Sequence, residues 1–263
     1  MFQAVFSLPL WAVVLVLNTW LVGFALAGAW TFRRWVLPRL DIGDEADLFY
    51  GAAVMQSAMM LYALVAALTA VSVWNRYSEA AEVVSGEATA IARMWRDLGS
   101  YPQPERQAMQ DSLRAYTVQV IDVAWPLHRK GKTPREGVVL INRLQEQLYA
   151  YKPAAATQGI LHAEALAAYN NLVVNRNKRL DAADDALPGV MWFVLLPGAM
   201  GCVALSFFFR IRDARYQYIL AGGLASFVAM VLFVIVALDH PFRGVMSISP
   251  ESYELIRDQL MRP

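Results

Sequence analysis

Four stretches of the chain read as unbroken apolar helix. Leu10–Thr31 is 22 residues long inside a charge-free segment running from residue 1 to residue 32, about 33 Å as a helix against a hydrocarbon core of about 30 Å. Further uncharged runs cover Leu48–Asn75, Ala186–Phe209 and Tyr216–Leu238. Each exceeds the eighteen or so residues that separate a membrane span from a buried core helix. Trp30, Trp35, Tyr50, Trp74, Tyr77, Trp192, Tyr216 and Tyr218 cluster near the ends of these runs, as rings with an apolar body and a polar tip do at a membrane interface. A cleaved leader is the competing reading of the first run, but it has no basic flank and is too long.

Between the second and third runs the pattern changes to charged, Ala-rich helix. Tyr77, Ala81, Val84, Ala88, Ile91 and Trp95 form one stripe at helical spacing. No breaker separates that stripe from Trp74, so the second span is expected to continue beyond the membrane as one long helix ending at Gly99-Ser100-Tyr101-Pro102. A second helix opens at Pro104-Glu105, carries Met109, Leu113, Tyr116, Val120 and Val123, and is expected to stop at Trp125-Pro126 and Gly131-Lys132-Thr133-Pro134. A third carries Val138, Ile141, Leu144 and Leu148. The last is expected from about Leu161 to Leu187, with a stripe of Leu166, Tyr169, Val173, Arg176, Leu180, Ala183 and Leu187, feeding straight into the third span through Pro188. The fold class is therefore all-α: an integral membrane protein with four transmembrane helices in two hairpins and a helical extramembrane insert between spans two and three. The expected parts are 1–75, a first transmembrane hairpin; 76–186, the insert; 187–238, a second hairpin; and 239–263, a C-terminal tail with a short helix from Pro250.

Composition sharpens this. The chain is 57% hydrophobic and 17% charged, against about 25% charged for a soluble globular chain. The formal net charge of +1 gives no electrostatic reason to expect nucleic acid. One cysteine, Cys202, excludes an internal disulfide framework. The lipid bilayer is the partner that composition demands. For orientation, the short loops carry Arg33, Arg34 and Arg39, and Arg210, Arg212 and Arg215, while the N-terminal flank has no Lys or Arg. Short basic loops stay in the cytoplasm and long domains translocate regardless of charge. That rule places the insert and both termini outside the cytoplasm, against the competing charges of Arg76, Arg176, Lys178, Arg179 and Arg243.

Catalytic signatures are missing: no G-x-S-x-G, no Walker loop, no dinucleotide fingerprint. An enzyme, a cofactor and a metal are not expected. His162 with Glu164, and Asp181 with Asp184 and Asp185, are better read as solvated helix faces than as metal ligands. The spans contain no Asp, Glu, Lys, Arg or His, which argues against a proton relay or a coupled transporter. Asn18, Thr19, Gln56, Ser57, Thr69, Ser72 and Ser226 remain as polar positions within them. They are either glue between helices or, at Gln56, Ser57, Thr69 and Ser72 on span two, the wall of a pathway whose neutral donors suit an anion that must pass without being held tightly. Arg176 lies on an otherwise apolar stripe and is a candidate polar site of the helix bundle, either paired, in a basic ring of an oligomer, or snorkelling at the bundle edge.

Span four is followed by Asp239-His240-Pro241-Phe242-Arg243-Gly244 and then Ser249-Pro250-Glu251-Ser252-Tyr253. Pro241 stops the helix, Gly244 permits a turn, and Phe242 is placed to plug back into the bundle. This segment resembles the C-terminal signature of the bestrophin-like family of bacteria and plants, with Asp239, Pro241, Phe242, Arg243 and Gly244 as its motif. Tyr77-x-x-Ala80, Glu87-Ala88, Tyr116, Trp125-Pro126, Arg179-Leu180 and Leu187-Pro188 fall in the same order. The resemblance implies a multi-pass protein of a bacterial inner membrane, remotely similar to the bestrophins, which are pentameric anion channels. It thus implies a homo-oligomer with small anions as candidate partners. The alternative is a non-conducting sensor or scaffold whose insert binds a protein or ligand. Calcium-gated bestrophins carry an acidic run after this segment. Here Val245-Met246-Ser247-Ile248 follows, so no calcium gate is expected. Bestrophins hold the insert in the cytoplasm, opposite to the charge rule.

Overall fold

The structure, a computed structural model, describes residues 9–39, 45–134, 136–209, 211, 213–244 and 246–262. Its helices are α1 (Leu10–Thr31), α2 (Glu45–Leu98), α3 (Glu105–Gln119), α4 (Trp125–Arg129), α5 (Gly137–Ala150), α6 (Ala156–Asp184), α7 (Gly189–Leu205), α8 (Ala214–Leu238) and α9 (Glu251–Gln259). They fall into two compact units, Met1–Asn75 with Ala186–Asp239, and Arg76–Asp185 with His240–Pro263. The tail from His240 onward thus shares a unit with the insert. Among the described residues, four stretches are long and apolar enough to cross a membrane: Leu10–Arg39, Phe49–Leu98, Ala156–Phe208 (whose apolar part is α7) and Ala214–Leu238.

In the first unit, α1 packs chiefly along α8. Small residues let the two backbones approach: Ala25 and Ala29 on α1, and Ala221 and Ala225 on α8, are all buried. Asn18 Nδ2 donates to Ser226 Oγ at 2.9 Å, so this polar pair is glue between spans one and four. At the end of α1 a π-turn, Phe32–Val36, and a 3-10 turn, Leu37–Arg39, follow. Arg33, read from sequence as a loop charge, turns inward. Its Nη1 donates to the Ile211 carbonyl at 2.9 Å and to Gln217 Oε1 at 2.8 Å. Arg210 and Arg212 lie outside the described residues. Gly28 leaves room for the Phe207 ring, which sits with its centroid 6.0 Å from Phe24 and 6.4 Å from Phe32. The membrane part of α2 is covered least. Between Phe49 and Asn75 only Ala66, Thr69 and Val73 are buried.

The second unit is a helical bundle. Val84, Ile91, Met94 and Leu98 of α2 pack with Met109 and Leu113 of α3, Leu144 and Leu148 of α5, and Leu172 of α6. Two boundaries differ from the sequence reading. Trp125-Pro126 does not stop the second helix. A π-turn over Val120–Ala124, closed by Trp125 N–H on the Val120 carbonyl, carries the chain into α4. Proline lacks the N–H that an α-ladder needs and crowds the preceding turn, and the wider i→i+5 turn accommodates it. The stop is the second of the two expected, at Gly131, with φ +70°. Lys132 N–H there bonds the Leu127 carbonyl at 2.9 Å and Gly131 N–H that of His128 at 2.9 Å, a left-handed helix end. Likewise α6 does not run into the third span. It ends at Asp184, with Asp185 extended and Ala186–Pro188 non-helical; proline disfavours helical backbone at Leu187, so the helix does not resume before α7. The Leu187 N–H released by that break is taken by Asp239 Oδ1 at 2.7 Å.

Replacing Gly28 with leucine is expected to drive Phe207 out of its aromatic slot at a cost of about 1–3 kcal/mol. Gly23→Leu, where an added Cβ meets nothing within 4 Å, is the matched control. Melting of the two variants in detergent checks this: Gly28→Leu falls and Gly23→Leu does not.

Candidate functional site

The densest polar cluster among the described residues lies inside the second unit, built by five helices. Glu87 of α2 is fully buried. Its Oε2 accepts from Arg179 Nε of α6 at 2.5 Å and from the Tyr253 hydroxyl of α9 at 3.0 Å. Its Oε1 accepts from the Tyr116 hydroxyl of α3 at 2.5 Å and from Arg179 Nη2 at 3.4 Å. Arg179 Nη1 then donates to His128 Nε2 of α4 at 2.7 Å. Since Nε2 accepts, the neutral ring carries its proton on Nδ1, which is buried and finds no hydrogen-bond acceptor. Aromatic rings wall the cluster. The Trp125 centroid is 5.6 Å from Phe242 and 5.4 Å from Tyr253, and Trp125 Nε1 donates to the Ile248 carbonyl at 3.1 Å.

Arg179, Tyr116, Tyr253 and His128 are each held in one protonation state. Burial opposes the charge of Arg179, but the Glu87 carboxylate beside it more than offsets that and binds the proton more tightly than usual. Burial, then the negative charge of Glu87, pushes the Tyr116 and Tyr253 hydroxyls well above the ordinary phenol range, so both donate as neutral phenols. Burial, followed by the Arg179 charge, lowers His128 to about 4, with Asp184 and Glu87 pulling the other way. The Glu87 carboxylate accepts four hydrogen bonds and is sealed from solvent, so it offers no open position to a substrate. Its chemistry is that of a lock between helices.

Arg176, singled out from the sequence, is also buried, with Nη1 3.4 Å from Asn177 Oδ1. The pairing residue is Arg179, one turn further on. The buried residues of α6 are Ala165, Ala168, Tyr169, Leu172, Arg176 and Arg179; the expected stripe lies on this face, with Tyr169 and Arg176 buried and Leu166, Val173 and Ala183 packed against the same core. In the terminal motif, Asp239 accepts from Leu187 within the first unit. In the second unit Phe242 is 2% exposed, and Arg243 lies over Gly131, where a Cβ would come within 2.5 Å of the guanidinium carbon. Pro241 is buried and its carbonyl accepts from Ile248 at 2.9 Å. Gly244 adopts φ +77°. Val245 lies outside the described residues. On α2, Gln56, Ser57 and Ser72 are exposed, whereas Thr69 is buried with its hydroxyl on the Val65 carbonyl at 2.8 Å. The Ser57 hydroxyl likewise bonds the Ala53 carbonyl at 2.8 Å. His162 Nδ1 pairs with the Tyr101 hydroxyl at 2.6 Å and Glu164 with Arg93 at 3.1 Å, so these two neighbours serve different partners.

A family model for the bestrophin-like domain matches residues 19–253. The chain belongs to the bestrophin-like family. Bestrophin-like folds are also its structural kin: a bacterial bestrophin homologue from Klebsiella pneumoniae, solved as a point variant, superposes with a TM-score of 0.71 at 12% identity, covering 94% of this chain and 97% of that one. A second crystal structure, of a membrane protein also carrying one substitution, gives 0.69 at 11% identity with the same coverage. At these identities the likeness is one of fold. No curated protein matches this bestrophin-like chain in sequence.

Arg179→Met is expected to cost about 3–5 kcal/mol by leaving the Glu87 charge buried and unpaired, and Tyr253→Phe about 1–3 kcal/mol for one lost donor. Phe242→Ala should cost about 3–5 kcal/mol through the cavity it leaves. Thermal melts in detergent check the ranking. For His128, the unfolded chain binds a proton near the ordinary 6.5 and the folded chain only near 4. Its contribution is therefore complete above about pH 6.5. It falls by roughly 1.4 kcal/mol per pH unit on acidification towards 4, then levels off. A melting profile against pH checks this, and His128→Gln should lack that slope.

Proposed function

We propose that the chain assembles with copies of itself into a channel for small anions in a bacterial inner membrane, with α2 supplying the pore wall. The observation that carries this reading is the bareness of α2. A span of 27 residues from Phe49 to Asn75 has three buried positions, while α1 and α8 cover one another. A span left bare on most of its circumference suits a helix that finishes its packing against other copies and turns one side to a shared axis. Gln56, Ser57 and Ser72 are the neutral polar positions exposed on it, with Gly51, Ala52 and Ala53 leaving space beside them. Thr69, turned inward, is left out of the proposed wall. Neutral donors with no fixed positive charge suit fast passage rather than tight holding of an anion. Membership of the bestrophin-like family supports the same reading. For orientation we place the insert and both termini outside the cytoplasm, on the charges of Arg33, Arg34, Arg39 and Arg215.

The test is purification, mass measurement and reconstitution into liposomes for halide and nitrate efflux. A ring-sized oligomer with anion flux is expected, with Gln56→Leu and Ser72→Leu lowering flux several-fold at unchanged assembly. A monomer without flux would favour the non-conducting sensor or scaffold. Cysteines placed at Ser100 and Asp213 in a Cys202→Ala background should label from opposite sides, Ser100 from outside.

A further inference from the structure

Four cations of the insert meet at one loop. Arg129, Lys130 and Lys132 lie at and just beyond the end of α4 and are exposed. The chain turns at Gly131, and the Arg243 guanidinium lies against that glycine. None of the four takes part in an ion pair among the described residues. Arg243 Nε is buried without a hydrogen-bond acceptor. No carboxylate lies within 129–134. At the adjoining end of α6, Asp184 Oδ1 accepts from the Thr133 hydroxyl at 2.5 Å and Asp185 pairs with Arg76 at 3.6 Å. Asp181 is exposed there, as is Lys178. A helix C-terminus favours cations within its last turn, which accounts for Arg129 and Lys130 but not for Lys132 or Arg243.

Chain connectivity says which anion this loop meets. The fourth span ends at Leu238, and Asp239 is joined directly to His240. Successive Cα atoms are about 3.8 Å apart. His240–Arg243 is a turn closed by Arg243 N–H on the His240 carbonyl at 3.1 Å, and a turn holds its end Cα atoms within about 7 Å. Arg243 is therefore within roughly 11 Å of Asp239, the residue that caps α8. The headgroup layer is roughly 5–8 Å thick on each side of the hydrocarbon core, and surface charge is felt for about 8 Å beyond it at physiological salt. The loop has a second tether, since Thr133 is bonded to Asp184, five positions before α7 opens at Gly189. The anions that are dense at that level are phospholipid phosphates, and juxtamembrane Lys and Arg clusters are drawn to them.

We infer that Arg129, Lys130, Lys132 and Arg243 form a docking surface for the headgroups of anionic phospholipids, which holds the near end of the insert to the bilayer. Lys and Arg suit this task because their apolar stems reach towards the interface while the charged ends stay wet. The inference needs only that α8 spans the membrane, and it stands or falls independently of anion flux and of the side on which the insert lies.

The experiment uses the full chain in phosphatidylcholine vesicles doped with phosphatidylglycerol carrying a photoactivatable diazirine on its headgroup, or with phosphatidylcholine carrying the same group. Adducts are mapped by peptide mass spectrometry. The phosphatidylglycerol probe should label the peptides around 129–134 and 241–244 several-fold more than the phosphatidylcholine probe. Replacing Arg129, Lys130 and Lys132 together with Gln should remove that preference, by roughly fivefold for each cation lost. Lys130→Gln with Lys132→Gln is the milder variant should the triple one fail to fold. Arg143→Gln with Lys152→Gln, exposed cations elsewhere on the insert, should leave it unchanged. Raising salt from about 0.05 M to about 0.5 M shortens the Debye length roughly threefold and should weaken it as well. Equal labelling by the two probes overturns the proposal. So does a preference that survives in a folded Gln variant or at high salt. Displacement of the probe by soluble glycerol phosphate would assign the loop to a free anion and overturns the lipid assignment.

Discussion

A carboxylate and a guanidinium taken out of water at Glu87 and Arg179 set the terms on which the helical insert exists. Desolvating two such ions costs several kcal/mol each after relaxation, and their attraction offsets that only when the remaining lone pairs and N–H groups are also satisfied. The insert goes far towards this by bringing a hydroxyl from α3 and another from α9 to the same carboxylate, and a histidine from α4 to the same guanidinium. Leucines and alanines would hold helices together in many registers. Five groups that must meet within hydrogen-bond distance accept far fewer, so the bundle's register is tied to the pair.

The membrane unit solves the opposite problem. It has few polar groups and a solvent that accepts none of them. Asn18 meets Ser226 and Tyr62 meets Leu195. Thr69 and Ser57 return their hydroxyls to their own helix. The arginine at its edge, Arg33, ties down a loop carbonyl and a glutamine. This closure pairs α1 with α8 and leaves α2 covered least, the asymmetry on which the proposed assembly draws.

The class of the molecule was legible because membrane spans advertise themselves by length and lack of charge, and the insert helices by stripes of large apolar residues. Glu87, Tyr116, Arg179 and Tyr253 were also visible, as parts of a family pattern scattered over the chain, but their meeting was not. Helical periodicity says which side of a helix is buried and says nothing about which helices face each other. On α6 it found the side, through Tyr169 and Arg176, but not that Arg179 meets Glu87. His128 meets Arg179 from 51 residues away, beyond what any local spacing can reveal. The breaks at Pro126 and Pro188 show the limit of proline as punctuation. One is absorbed by a π-turn, and the other ends a helix whose released N–H is claimed by Asp239, itself 52 residues distant.

Tyr253 gives the insert a temporal order. Glu87, Tyr116, His128 and Arg179 leave the ribosome well before it, separated from it by two spans. Until α9 docks, Glu87 Oε2 lacks one of its two donors and Trp125 lacks the Ile248 carbonyl. The hydrogen bonding of the bundle is therefore complete only once α9 is in place. The last helix thus works as a latch, and its closure reports that everything before it has been made.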